Sequence, residues 1–425
     1  MKFYIETYGC QMNVSDSEVV SSILVNAGWT QSKTMDDVDL ILFNTCSVRQ
    51  HAEDRVLGRI SNEKHRKISN PDLKIAVLGC MAQRMGNRLL DVGSGVDFVV
   101  GVDQYNFLPE LVGSTSGIKD EFDHNQVYPD IKPLHVNNTC AFVTITRGCD
   151  NYCSYCIVPF VRGRERSVPF DHIHKEVEDC GEQGLKDVTL LGQNVNSYSY
   201  GDVNFPKLLR ELNDIDSIYR LRFLTSHPKD LSDELIEVMA SCDKVCHHIH
   251  LPMQSGDSDI LKAMNRKYNY ESYLKLTDKL RNAMPDIGLT TDIIAGFPGE
   301  TDAMFENTLD AMRTIRFDYA FCFKYSEREG TPASGWPNQV PESERLERLQ
   351  RMIELQRKIT MEKFSAQIGN AVEIYVEDLS KKSSQQVSGK TDDFKVAVMS
   401  GDGSEIGTLK KAKVIDATAG TLICE

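Results

Sequence analysis

The chain of 425 residues is 41% hydrophobic and 26% charged, the make-up of a soluble globular protein long enough for two to three domains. Its formal net charge of −14 excludes a uniformly basic, non-specific nucleic-acid binder, though not a local basic rim. No apolar run approaches the roughly 18 residues that would cross a membrane, which leaves a cytoplasmic chain whose twelve cysteines serve metal or redox chemistry rather than disulfides.

Met1 and Lys2 lead straight into a strand pattern, with no signal-peptide core before it. Residues 1–112 then repeat one unit. Strand patterns at 3–7, 39–44, 74–78 and 97–100 alternate with helical ones, among them 17–27 and 52–68, the first with Ser15, Asp16 and Ser17 as cap candidates. Such alternation implies βαβ units and a parallel, Rossmann-like sheet. Cys10, Cys46 and Cys80 each follow a strand end. In a parallel sheet those ends share one edge, where doubly wound folds place their ligands, so three thiols far apart in sequence are expected to meet. Residues 113–139 are polar, rich in Gly, Ser, Asp, Asn and Pro, and read as an interdomain linker.

The β-then-α rhythm resumes over 140–362. Strands are expected at 141–146, 187–191, 220–225, 247–251, 289–295 and 318–324, with helices at 169–183, 204–214, 232–241, 270–283 and 301–315 and a long charged helix at 341–367. Directly after the first strand, Cys149, Cys153 and Cys156 put three thiols within eight residues. Soft sulfur ligands select zinc, copper(I) or iron–sulfur clusters. A structural zinc site wants four closed ligands, and no fourth Cys or His follows at a suitable spacing. Three thiolates on a cubane leave one iron open for something other than protein. The ends of later strands carry Gln193 and Asn194, Ser226 and His227, and Gln254; the fifth strand contains Asp292 and runs into Gly296 and Phe297. Cys242 and Cys246 lie near His247, His248 and His250, but alternation puts Cys246, His248 and His250 on one strand face rather than around a metal. Cys180, Cys322 and Cys424 read as core.

The tail, 363–425, changes character. Short β-rich runs at 371–376, 385–387, 395–399 and 413–415 between Gly, Ser and Asp clusters read as a small all-β barrel. With eight Lys against nine Asp and Glu, it is close to neutral in an acidic chain.

With Tyr155 just before its last Cys, the Cys-x3-Cys-x2-Cys motif resembles the radical S-adenosylmethionine superfamily. The resemblance implies a partial (β/α)6 barrel with chemistry at the C-terminal strand ends. It further implies a [4Fe-4S] cluster on Cys149, Cys153 and Cys156 whose open iron chelates S-adenosylmethionine, and cofactor contacts from Tyr155, Gln193, Asn194, Ser226, Gln254, Asp292 and Phe297. The sheet domain with its three cysteines, the barrel and a tail similar to the RNA-binding TRAM module together resemble the methylthiotransferase family over the full length. That implies a second [4Fe-4S] cluster on Cys10, Cys46 and Cys80 as sulfur carrier, with S-adenosylmethionine as both radical source and methyl donor. Residues 8–13 and 147–151, and the stretches 157–167 and 325–333, look like the branch that thiomethylates isopentenylated adenosine at position 37 of tRNA. The implied partners are the anticodon stem-loop and a reductase or flavodoxin-type electron donor. Other branches, acting on threonylcarbamoyl-adenosine of tRNA or on a ribosomal-protein aspartate, carry different residues after the first Cys. Two departures stand out: Val168 where the family usually has Arg, and Glu329 where it has Pro. The first weakens the basic rim expected from Arg162, Arg164 and Arg166. Carbon 2 of adenine holds its hydrogen too firmly for a side-chain base at neutral pH, so the expected chemistry is radical rather than acid–base.

Overall fold

The computed structural model describes residues 1–47, 50–91, 93–137 and 139–425 of the chain. Six parallel strands build the N-terminal sheet: β1 (Lys2–Thr7), β2 (Thr30–Gln31), β3 (Leu40–Thr45), β4 (Lys74–Gly79), β5 (Phe98–Val100) and β6 (Gly117–Lys119), in the order β2-β1-β3-β4-β5-β6. The central strands β3 and β4 are buried along both faces, which is why they read as unbroken apolar runs. Helices α1 (Gln11–Asn26), α2 (Gln50–Glu63), α3 (Cys80–Met85) and α4 (Leu108–Leu111) connect them.

Two expectations change here. Helix α1 starts at Gln11 rather than 17, because Cys10 stands at its N-cap and Asn13 Oδ1 accepts from the Cys10 amide at 3.3 Å. Ser15 and Asp16 are therefore inside the helix and buried, not capping it. The stretch 113–139, read as a linker, supplies β6, whose three residues are too few to carry a period. The same stretch packs Tyr128 against Tyr105, ring centroids 5.5 Å apart, and the Tyr128 hydroxyl donates to Val102 O at 2.9 Å. It is a strap across the sheet domain.

The central domain follows its pattern closely. Strands β7 (Cys140–Thr144), β8 (Asp187–Leu191) and β9 (Arg220–Phe223) form one parallel group, and β10 (His248–His250), β11 (Gly288–Ala295) and β12 (Tyr319–Lys324) a second. A parallel bridge from Leu221 to Val245 joins them into one open barrel in sequence order. Around it run α5 (Val158–Arg162), α6 (Phe170–Glu182), α7 (Phe205–Asn213), α8 (Asp233–Ser241), α9 (Ser258–Ala263), α10 (Tyr270–Ala283), α11 (Asp302–Ile315) and α12 (Glu342–Ser365). Side-chain caps fix several starts: Asn204, Ser232, Asp257, Asn269 and Thr301 each accept from a backbone amide of the first turn. Beside the alternating Cys246, His248 and His250, Thr290 Oγ1 lies 3.0 Å from both His248 Nε2 and His250 Nδ1, so the histidines are used in packing.

The tail is a closed five-stranded barrel of β13 (Ala371–Ser380), β14 (Ser383–Thr391), β15 (Val396–Ser400), β16 (Leu409–Ala417) and β17 (Leu422–Cys424), ordered β13-β14-β15-β17-β16. It docks on the N-terminal ends of the central strands. Arg222 donates to Asp392 O at 2.9 Å and Thr391 O at 2.8 Å, Arg220 donates to Lys390 O at 2.6 Å and Glu373 O at 3.0 Å, and Phe394 stacks on His248 at 4.4 Å. The opposite end of the central barrel, where the strands finish, is left to the cysteine loops.

Candidate active site

Strand β7 delivers the chain into the tight loop that carries Cys149, Cys153 and Cys156. Gly148 is its hinge: φ is +77°, and a Cβ there would meet Arg164 O at 2.0 Å, so only glycine fits. The loop is braced from several sides. Gly148 N donates to Gln193 Oε1 at 2.5 Å, Ser154 Oγ to Ala263 O at 2.7 Å, and Asn265 Nδ2 to Tyr152 O at 2.8 Å. Two donors address the thiols directly, Asn151 Nδ2 to Cys149 Sγ at 3.4 Å and Arg266 Nη1 to Cys153 Sγ at 3.2 Å. Burial pushes the Cys149 thiol up to about 11 and the Cys156 thiol up to about 12, with Cys153 adding to both. Binding a metal there must displace protons, so loading is pH-dependent. Among the described residues no three His, Cys, Asp or Glu are arranged around a single ion. A cubane asks for something else, one thiolate per iron around a larger body.

The strand ends next to this loop hold unspent hydrogen-bonding capacity. Asn194 Oδ1, Ser226 Oγ and Gln254 Oε1 are buried and have no partner within the protein. Each such atom costs about 1–3 kcal/mol unless something satisfies it. Three together at the C-terminal end of one barrel fit a polar ligand such as the amino-acid and ribose parts of S-adenosylmethionine. Two of them are held in place: the Asn194 side chain donates through Nδ2 to Asp230 Oδ2 at 2.8 Å, and Gln254, at φ +68°, donates its backbone amide to Asp292 O at 2.8 Å. Asp292 keeps a half-buried carboxylate, 3.5 Å from His250 Nε2. His227 remains a neutral imidazole, since burial and then Arg266 drive its pKa down to about 2. Phe297 is completely buried between Tyr155, Tyr325 and Trp336, with the Tyr155 ring edge-on at 6.4 Å. It supports Tyr155 from behind and presents no face to a ligand.

Cys10, Cys46 and Cys80 come off β1, β3 and β4 at one sheet edge. Asn13 ties the first two loops by donating to Asn44 Oδ1 and Thr45 O, both at 3.1 Å, and a Cβ on Gly9 would lie 2.6 Å from Cys46 Cβ. Burial pushes the Cys80 thiol up, Arg162 opposes this, and Cys10 is near enough to reinforce it. The sheet edge faces the barrel loop, for Cys80 packs on Ile157 and Val161, just beyond Cys156.

The expected basic rim is not there. Arg162 is buried against Asp16, and Arg166 is buried in a bidentate pair with Asp103 at 2.8 and 3.0 Å; only Arg164 is exposed, and it pairs with Asp150 at 2.7 Å. Val168 lies in the barrel core, so its departure from the usual Arg removes nothing from a surface. Glu329 is exposed 3.5 Å from Arg88 of the sheet domain. Arg266 and Arg147 drew no expectation from the sequence, and Arg162 and Asp16 drew different ones, as rim charge and helix cap, because a charged residue does not announce a partner a hundred residues away.

A model described as the Radical SAM superfamily matches residues 143–312, and one described as Uncharacterized protein family UPF0004 matches residues 2–101. The tRNA-2-methylthio-N(6)-dimethylallyladenosine synthase of Thermoanaerobacter sp. (strain X514) is 46% identical over 430 residues, covering 99% of this chain and 91% of that protein. The protein of the same name from Phocaeicola vulgatus is 44% identical, covering 99% of this chain and 95% of its own. Among solved structures, the radical S-adenosylmethionine methyltransferase TsrM from Kitasatospora setae, with cobalamin and a [4Fe-4S] cluster bound, superposes with a TM-score of 0.60 at 15% identity, over 78% of this chain and 77% of that one. At that identity the likeness is one of fold.

Proposed function

The chain belongs to the tRNA-2-methylthio-N(6)-dimethylallyladenosine synthase family, and from that premise we propose that it inserts a methylthio group at carbon 2 of N6-isopentenyladenosine, position 37 of tRNA. It is a radical S-adenosylmethionine transferase, and it uses S-adenosylmethionine and a [4Fe-4S] cluster. The observation that carries our division of labour is the facing of the two cysteine sets, Cys80 against Ile157 and Val161. In this reading Cys149, Cys153 and Cys156 hold the cluster that binds S-adenosylmethionine, and Cys10, Cys46 and Cys80 hold a second [4Fe-4S] cluster that carries the sulfur. When bound, these groups supply a 5′-deoxyadenosyl radical, a methyl group and the sulfur.

The chain's own residues do the rest. Gln193 and Gly148 set the loop, Arg266 and Asn151 steady the Cys153 and Cys149 sulfurs, and Asn194, Ser226 and Gln254 orient the cofactor through their unpaired atoms. His227, held neutral, cannot act as an acid at physiological pH. The adenine must leave any stack to enter between the facing loops. The tail offers exposed Lys411 and Lys413 on β16 as contacts for tRNA phosphates. No described helix is long and apolar enough to cross a membrane, which suits work on tRNA in the cytoplasm, with electrons from a flavodoxin-type donor.

The test is a Cys46→Ala variant in a strain lacking the native gene, read by mass spectrometry of tRNA nucleosides. It is expected to release 5′-deoxyadenosine normally and to make no methylthio nucleoside, while the native chain holds about eight irons as two cubanes. Normal methylthiolation by Cys46→Ala would remove the sheet-domain cysteines from the mechanism.

A further inference from the structure

Cys80 is the sheet-domain thiol turned toward the barrel, and a cation from the barrel meets it. Arg162 Nε donates to Cys80 Sγ at 3.1 Å. The Arg162 side chain is only 3% exposed, and a charge so deeply buried needs partners. One is Asp16, wholly buried on α1. Its Oδ2 forms an ion pair with Arg162 Nη1 at 2.7 Å, out of line for a hydrogen bond, and its Oδ1 accepts from Arg147 Nη1 at 2.8 Å. One carboxylate between two guanidinium groups leaves a surplus positive charge in the interior. A Cys80 that serves as a cluster ligand is a thiolate, and its charge would cancel it. A second observation points the same way: Arg162 Nη2 is buried with no hydrogen-bond partner. An unmade bond on a charged donor is costly, so Nη2 is left able to take a further acceptor.

We propose that Arg162 is a positioning residue for the sheet-domain centre. Nε holds the Cys80 thiolate, Nη2 is offered to anionic sulfur at that centre, and Asp16 ties both to Arg147, two residues before Cys149. This rests on the reading of Cys10, Cys46 and Cys80 as ligands of a second cluster. Arginine suits the task because its planar fork serves two acceptors while a third nitrogen faces a carboxylate. Hydrogen bonds to cluster sulfur and nearby positive charge favour the reduced, more negative cluster and so raise its potential. Asp16 tempers that effect.

The experiment uses the full chain with Cys149, Cys153 and Cys156 changed to Ala, so that only the sheet-domain cluster gives a signal. This parent should take up about four irons. A parent without iron overturns the underlying reading; iron present with no response to Arg162 overturns only the role proposed here. Within the parent, reduction potentials are followed by electron paramagnetic resonance. Arg162→Gln should move the potential down, Arg162→Lys should move it less, and Asp16→Asn should move it up. Arg162→Gln should also lose iron to a chelator about 10–100-fold more readily. A residue that only fills space gives shifts of one sign or none. An unchanged potential in Arg162→Gln, or Arg162→Gln and Asp16→Asn moving together, therefore refutes the proposal. If Arg162→Gln does not fold, Arg162→Lys and Asp16→Asn carry the same test by their opposite signs.

Discussion

Gln254 sits in a left-handed backbone conformation, φ +68°, pinned on both sides by Asp292 O and the Ile294 amide, with its Oε1 buried and unpaired. Strain of this sort persists where the surroundings over-determine it. Gln254→Leu keeps the volume and removes the acceptor. About 1 kcal/mol of binding goes with a neutral hydrogen bond, so KM for S-adenosylmethionine should rise roughly fivefold in 5′-deoxyadenosine assays while iron content is unchanged. An unaltered KM would take Gln254 out of the cofactor site. Phe297 teaches the opposite lesson at the same scale. Its place after a strand end suggested a ligand contact, but an aromatic there serves equally as packing under Tyr155, and only burial distinguishes the two.

The tail barrel is joined to the central barrel by a buried ionic knot just before β12. Asp318 accepts from Lys363 Nζ at 2.6 Å and from the Leu289 amide at 3.0 Å, and stands 3.2 Å from Lys395 Nζ of the tail. Burial alone would raise the Asp318 pKa, but Lys395 and Lys363 outweigh it and hold the carboxyl below the ordinary range. A depressed carboxylate gives stability that is complete above its unfolded pKa, about 4, and disappears as pH falls through the folded value. Melting curves of native and Asp318→Asn protein should therefore differ by a constant gap above pH ~4 and converge in stronger acid. A gap that widened on acidification would contradict this. On the tail's outer face, Lys411→Ala with Lys413→Ala should lower the slope of log K against log salt for tRNA by about 2, leaving cofactor cleavage alone. Most of these elements were legible in the sequence, because long strands and helices impose a period that survives without tertiary information. Strands β2, β6 and β17 and helices α5 and α9 were not, since two to six residues are too few to show one. The placement of Cys10, Cys46 and Cys80 at one sheet edge was legible for a topological reason: parallel strands end together. The conversion of Arg162 and Arg166 from surface charges into interdomain pairs was not, because it depends on Asp16 and Asp103, more than sixty residues away.

At the scale of the molecule, the sheet domain and the barrel are held together by buried ion pairs rather than by a single apolar seam. Arg166 donates to both carboxylate oxygens of Asp103 and to Asp123 O at 2.6 Å, so it gathers the sheet domain and its strap onto the loop after α5. Arg166→Ala would leave Asp103 buried without its charged partner, the Asp123 amide at 3.3 Å still donating to it, a loss of about 3–5 kcal/mol that should appear as a lower urea midpoint. A midpoint equal to that of the native chain would mean water replaces the guanidinium without penalty. The tail adds a different constraint. It is seated at the start of the central strands, whereas the cysteines lie beyond their ends, and β11 alone has eight residues, a rise of roughly 26 Å at about 3.3 Å each. The barrel is thus a gauge. A nucleoside can reach only one end of it, and so can a short oligonucleotide. Under the proposed function, an RNA stem running along its flank would touch the tail at one end while its loop lies at the cysteine loops at the other, a reach that a single nucleoside does not have.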